Sequence, residues 1–157
     1  MEALILTLAT ARDVKALKRL MYQLHDEHHQ AEPDFFKTAD EICSEKDIKQ
    51  YIEQPDGLVY CAIIDGEIVG FVTAHFSEWS STVSKPIFMG SIDELYVLPK
   101  YRSQGIGKKL LTRIEKELKD YGVKQIFVEV WAFNKTAVEV YESIGFSHHI
   151  HWLRKSL

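Results

Sequence analysis

The stretch from Leu95 to Leu111 constrains this chain more than any other, because an apolar strand runs through a glycine-containing turn straight into an amphipathic helix. Backbone N–H groups at a helix start have no intrahelical partner. With the positive end of the helix dipole behind them, they can receive a phosphate without any side chain. Gly105 and Gly107 let a ligand approach that backbone closely. Two familiar phosphate loops fail on spacing. Lys108 is followed by Lys109 and position 102 is not glycine, which excludes a P-loop, and Leu110 stands where a dinucleotide fingerprint needs its third glycine.

The rest of the chain alternates strands and helices with no repeat, low-complexity tract or linker, which predicts one α/β domain over residues 1–157. Leu4 to Leu8 reads as a strand. Thr10 and Asp13 then make an approximate capping box, and Val14, Leu17, Leu20, Met21, Leu24 and His28 mark one helical face. Thr38 and Glu41 repeat the capping signal before a second helix. Leu58 to Ile64 and Ile68 to Phe76 are apolar runs joined at Asp65-Gly66, a hairpin signal, and a third antiparallel strand ends at Val97. In the helix after Gly105, Ile106, Leu110, Leu111, Ile114 and Leu118 share a face, and Gly122 follows where a left-handed cap is expected. Ile126 to Trp131 reads as the next strand. Asn134 opens a short helix ending before Gly145, and Phe146 to Leu153 reads as a final strand.

A length of 157 residues with 46% apolar and 27% charged composition suits one globular domain with a real core. The longest apolar run, Leu58 to Ile64, is too short to span a bilayer, and Glu2 stands where a signal peptide would carry positive charge, so a cytoplasmic location is expected. Cys43 and Cys61 have no metal or redox spacing and read as reduced and structural. A net charge of -4 argues against general nucleic-acid binding and mildly for cationic partners.

Arg102-x-x-Gly105-x-Gly107 after an apolar strand resembles the acyl-CoA signature of the GNAT superfamily of N-acetyltransferases, Gln/Arg-x-x-Gly-x-Gly/Ala. A second block strengthens the likeness: Val128 to Asn134, then Ala137 to Tyr141, then Gly145-Phe146, in the family's order of strand, Asn, short helix with Tyr, and Gly-Phe. The likeness runs from about Leu4 to Leu153. It implies a mixed, mostly antiparallel sheet of about six to seven strands flanked by about four helices, with the strands ending near Val97 and Trp131 splayed apart. It also implies acetyl-CoA as cosubstrate. The pantetheine amides would pair with Leu95, Tyr96 and Val97, and the phosphates would lie at Ser103, Gln104, Gly105, Ile106, Gly107 and Lys108. Arg102 and Lys108 could add charge, and Asn134 would make another contact.

Acetyl transfer to an amine raises two proton problems. An alkylammonium, with a pKa near roughly 10.4, must lose a proton before it can attack. Polyamine acetyltransferases carry an acidic pair before the same Leu/Ile-Tyr-Val segment, which makes Asp93 and Glu94 the leading acceptors. Period-2 alternation puts them on opposite faces unless a bulge intervenes. Glu129 is a third candidate, by likeness to protein N-terminal acetyltransferases. The leaving thiolate needs the second proton, and by resemblance Tyr141 supplies it, against a plain core-packing role beside Val138 and Ile144. The Val97 N–H is the implied oxyanion donor, and no acyl-enzyme is expected because neither cysteine matches a family nucleophile.

The acceptor is the least constrained part. The run from His25 to Phe36 combines acids, imidazoles and aromatics at the end of the first helix. His28, Glu32, Phe35 and Phe36 read either as a wall for a small polyamine or amino sugar, or as a solvated helix end whose Phe side chains plug the core. His25 and His29 form an i, i+4 pair, but no ligand set is completed around them and no metal is expected. His148, His149 and His151 read as strand-surface residues. Trp79, in a polar loop from Ser77 to Lys85, would border the acceptor entrance or a subunit contact. The expectation is therefore acetyl transfer to a small-molecule primary amine, with no nucleic-acid or membrane partner and a possible homodimer. The alternatives are a protein or peptide N-acetyltransferase and a non-catalytic acyl-CoA-binding module.

Overall fold

A computed structural model describes residues 3–157; Met1 and Glu2, and with them the reading made from Glu2, lie outside the described residues. Five strands form one sheet in chain order: β1 (Ile5–Leu8), β2 (Gly57–Ile64), β3 (Glu67–Trp79), β4 (Ile87–Val97) and β5 (Gln125–Val128). The first four pair antiparallel and β5 joins β4 in parallel, which makes this a mixed α/β sheet. Asp65 and Gly66 adopt positive φ angles of 51° and 79°, turning β2 into β3 where the hairpin signal lies.

Five helices complete the described fold: α1 (Val14–Ala31), α2 (Ala39–Glu45), α3 (Ile48–Glu53), α4 (Ile106–Asp120) and α5 (Lys135–Ser143). Alternation along the strands separates two cores. Val72, Ala74 and Ile92 point to one face, where they pack on Leu110, Ile114 and Leu118 of α4 and Tyr141 of α5. Phe71 and Tyr96 point to the other, against Leu17, Leu20, Met21 and Leu24 of α1 and Ile48 of α3. Helix α4 lies so close to β4 that a Cβ at Gly90 would sit 2.9 Å from Leu118 Cδ1. The capping signals form as expected. Thr10 N–H donates to Asp13 Oδ2 at 2.8 Å, Thr38 Oγ1 accepts from Glu41 N–H at 3.2 Å, and Gly122 takes φ 93° after α4.

Several expectations need correction. The sheet has five strands among the described residues, because Phe146 to Leu153 forms no strand and its Ile150, Trp152 and Leu153 stand exposed. Strand β5 stops at Val128 instead of Trp131, since its ladder with β4 ends at Ile92↔Val128. The second helix divides into α2 and α3 at Lys46-Asp47, where Lys46 is extended and Asp47 Oδ1 caps α3 by accepting from Lys49 N–H. Trp79 belongs to β3, paired with Ile87, and not to the loop.

Candidate active site

The parallel ladder opens a wedge. Beyond Ile92↔Val128, β4 runs on to Val97 while the chain after Val128 leaves the sheet, so the two strands splay from that point. Leu98 N–H donates to Val69 O at 2.8 Å, and antiparallel alternation then turns the N–H and C=O groups of Leu95 and Val97 away from β3, into the wedge. Those groups have no ladder partner there. One is nevertheless used: Arg102 Nε donates to Val97 O at 2.8 Å.

At the wide end, the chain from Val97 passes through a 3₁₀ turn at Pro99–Tyr101 into α4. Ser103 and Gly105 have φ angles of 65° and 80°, a left-handed pair that turns the backbone into the helix. No side chain caps α4, so its first N–H groups are unpartnered among the described residues and face the turn. Gln104, Ile106, Gly107 and Lys108 share this loop and first helical turn. A Cβ at Gly105 would meet nothing within 4 Å, which describes an open cradle. Arg102 lies beside it but is committed elsewhere: its guanidinium donates to both Glu27 carboxylate oxygens, at 2.9 and 3.0 Å, and stacks over Tyr96. Tyr96 OH donates to Glu27 at 2.9 Å, and its side chain lies in the α1 core, so only its main chain edges the wedge.

Asp93 sits at the apex, the first residue past the last β4–β5 pair. The β3–β4 register shifts there, from Thr73↔Glu94 to Ala74↔Ile92, leaving Asp93 as the extra residue of a bulge. The bulge sets aside the simple alternation. Asp93 and Glu94 both engage groups on the α1–α3 side of the sheet. Glu94 is buried, and its carboxylate accepts from Lys46 Nζ and from Thr73 Oγ1, which in turn accepts the Glu94 N–H. Asp93 accepts from Tyr51 OH at 2.5 Å, His75 Nδ1 at 2.6 Å and Ser91 Oγ at 2.9 Å. Glu129 lies exposed just past β5 with no hydrogen-bond partner among the described residues.

On the α5 side, Asn134 caps the helix, its Oδ1 accepting from Ala137 N–H at 3.3 Å. Tyr141 is buried in the core with its ring against Phe146, and its hydroxyl has no hydrogen-bond partner among the described residues. Burial pushes its phenol up to about 12, so it holds its proton at neutral pH.

The aromatic residues of the α1–α2 connection gather beside the chain leaving β5. Phe36 stacks on His28 and meets Trp131 and Phe133 edge-on, with ring centroids 4.7 and 6.1 Å away. Phe35 also contacts Trp131, and Arg154 lies over Phe35 while donating to Glu32 at 2.9 Å. The four residues read from the sequence therefore stand together, with Glu32 already paired. His29 does not join them: its Nδ1 lies 2.9 Å from Phe36 O. His25 points inward, its Nε2 buried without a partner among the described residues, and burial first, then Lys46 and His28, lower it to about 4.

Sequence reasoning missed Lys46, Tyr51, Thr73, His75, Trp131, Phe133 and Arg154 as neighbours of the site. A Glu94–Thr73 pairing follows once the hairpin register is known. The partners from α2, α3 and residue 154 leave no local signal. No three His, Cys, Asp or Glu residues cluster for a metal, and no helix is long and apolar enough to cross a membrane, among the described residues.

The family model described as the acetyltransferase (GNAT) family matches residues 21–146. The crystal structure of an acetyltransferase from Vibrio fischeri is 50% identical with a TM-score of 0.69, covering 81% of this chain and 96% of that one. Uncharacterized N-acetyltransferase YjgM of Escherichia coli K12 is 27% identical over 140 residues, 88% of this chain and 79% of its own length. Thialysine N-epsilon-acetyltransferase of Bos taurus is 32% identical over 78 residues, half of this chain and 44% of that protein.

Proposed function

The chain belongs to the GNAT family of acetyltransferases, and from that premise we propose that it moves the acetyl group of acetyl-CoA to a primary amine of a small molecule such as a polyamine or amino sugar. The observation that carries this reading is the wedge: the main-chain N–H and C=O of Leu95 and the Val97 N–H, turned away from β3 beside the uncapped start of α4. The unpaired groups suit the amides of a pantetheine arm, and the α4 cradle suits a pyrophosphate. Ser103 to Lys108 supply the cradle, and Asn134 keeps its side-chain NH₂ free for a further contact. Arg102 acts mainly as a brace between Glu27 and the end of β4.

In this reading the Val97 N–H receives the developing negative charge on the acetyl oxygen. The amine attacks directly, without an acyl-enzyme: Cys61 is buried, its thiol pushed up to about 12 by burial, and Cys43 lies away on α2. Tyr141, protonated and without another partner, gives its proton to the leaving sulfur. The aromatic group of His28, Phe35, Phe36, Trp131 and Phe133 would hold the carbon skeleton of the acceptor, and a compact site of this kind fits a small amine better than a peptide. Similarity to a thialysine acetyltransferase supports the same class.

Release of free CoA from acetyl-CoA, measured across polyamines, amino sugars, amino acids and short peptides, tests the proposal. Turnover with a small amine is the expected result. Turnover with peptides alone would transfer the acceptor role to a protein and bring Glu129 forward as the base. Tight acetyl-CoA binding without turnover on any amine would make this a binding module.

A further inference from the structure

Two acidic residues stand at the apex, yet neither carboxylate is free to take a proton from an incoming amine. Glu94 is buried between Lys46 and Thr73. Asp93 accepts three hydrogen bonds, and burial together with the bond to Asp93 pushes the Tyr51 phenol well above its ordinary range, so Tyr51 is a committed donor. An ionised carboxylate only accepts, so the His75 ring must donate through Nδ1. Its Nε2 is then the lone-pair nitrogen, and it has no partner among the described residues. The His75 side chain is 36% exposed, against 19% for the Asp93 side chain, so the imidazole is the more open of the two side chains.

We propose that His75, not Asp93 or Glu94, accepts the proton of the acceptor ammonium, with Asp93 and Tyr51 as the residues that position it. The inference rests on the acetyl-transfer reading above. Its geometry follows from the bulge: with Asp93 at the point where β4 and β5 part and His75 paired with Ser91 just behind it, the dyad sits at the apex of the wedge on the α1–α3 side. His75 Nε2 takes one proton from R–NH₃⁺, and the imidazolium keeps its Nδ1–H on Asp93. The neutral nitrogen then forms the C–N bond as the C–S bond breaks. The sulfur takes its proton from Tyr141, the nitrogen loses its second proton to water, and Tyr141 and His75 return to their starting states by exchange with water, with one proton released per turnover. Among the described residues, the charged and titratable groups around the His75–Asp93 dyad are Glu94 from β4 with Lys46 upon it, Tyr51 from α3 and Asp56 before β2.

Two readouts on the full chain test this: pH profiles of kcat/KM for the wild type, His75→Gln, Asp93→Asn and Tyr51→Phe, and the ¹⁵N spectrum of the His75 ring with CoA and an amine added. Loss of the His75 base should lower kcat/KM by about 100-fold and change the shape of its pH profile, with acetyl-CoA affinity unchanged. Asp93→Asn and Tyr51→Phe should cost less, and Asp93→Asn should mix the two ring tautomers. A pH profile in His75→Gln of the same shape as the wild type's, an Nε2–H tautomer in the wild type, or a His75 signal that ignores the added amine would each overturn the assignment. The spectroscopic results do so whether or not turnover is seen. Absence of turnover with every amine, beside a ring signal that responds to amine, would instead sink the acetyl-transfer reading and leave the contact standing.

Discussion

The two walls of the wedge are made of different material. Along β4 and the start of α4 the wall is main chain: the edges of Leu95 and Val97 and the uncapped turn of the helix. On the α1–α3 side the wall is side chains already held by one another, Glu94 by Lys46 and Thr73, and Asp93 by Tyr51, His75 and Ser91. A main-chain wall depends on backbone conformation and accepts most side-chain changes that respect φ. A wall of paired side chains depends on residues far apart in sequence, and there a single substitution strands a partner.

The strongest way to break this comparison is at Tyr141, whose buried side chain has no hydrogen-bond partner among the described residues. Tyr141→Phe should lower kcat by about 100-fold or more with acetyl-CoA affinity unchanged, since it removes one proton donor and little volume. Unchanged turnover at saturating acetyl-CoA would assign the proton to water. Next comes the main-chain wall. Gly105 has φ 80°, and a β-branched residue there is strained by about 1–2 kcal/mol, so Gly105→Val should weaken acetyl-CoA binding by about 5- to 30-fold in titration calorimetry. Ser103→Gly, relieving a φ of 65°, should leave binding intact or tighten it. If Ser103→Gly weakens binding as much as Gly105→Val, the Ser103 side chain matters and the wall is not main chain alone.

The paired wall should respond in stability. Glu94→Gln removes the charge that holds Lys46, and because the Lys46 side chain is 41% exposed the cost is about 1–2 kcal/mol, less than for a fully buried pair. That corresponds to a melting-temperature drop of about 2–8 °C. The smallest effect expected is pH-dependent and belongs to His25. Its pKa falls from 6.5 in the unfolded chain to about 4 in the folded one. A depressed pKa means that the unfolded state binds the proton first, so the stability is present above pH 6.5 and lost as the pH falls toward 4. His25→Gln should flatten that part of the melting curve against pH by about 2–4 °C, the effect of about 1 kcal/mol after allowing for partial exposure.

The same division explains what could be read from the sequence. The strand–turn–helix at Leu95 to Leu111, the hairpin at Asp65-Gly66, the caps at Thr10, Thr38 and Gly122 and the Asn134 helix are short-range signals, and each lies where its residues predict. The end of β5 was less legible, because apolar residues through Val130 and Trp131 continue a strand pattern after the ladder itself has stopped. Phe146 to Leu153 likewise alternates as a strand does, but pairs with no strand among the described residues. The partners of Asp93 and Glu94 were beyond reach for a different reason: Lys46 and Tyr51 come from the divided second helix, 48 and 42 residues away, and no periodicity reports such a meeting. His75 was passed over because inside an apolar strand it carries no motif of its own.

The bulge at Asp93 has a consequence for how this protein can change. With Asp93 set aside, Ile92 and Glu94 face their neighbours on β3 as consecutive residues of a regular ladder would, Ile92 in the core beneath α4 and Glu94 buried against Thr73. Position 93 therefore owes nothing to strand register or to packing on α4. A sequence drifting under selection can vary that residue together with its partners on β3 and α3 while the sheet keeps its register. New acceptor chemistry can be explored there at little risk to the fold that carries it.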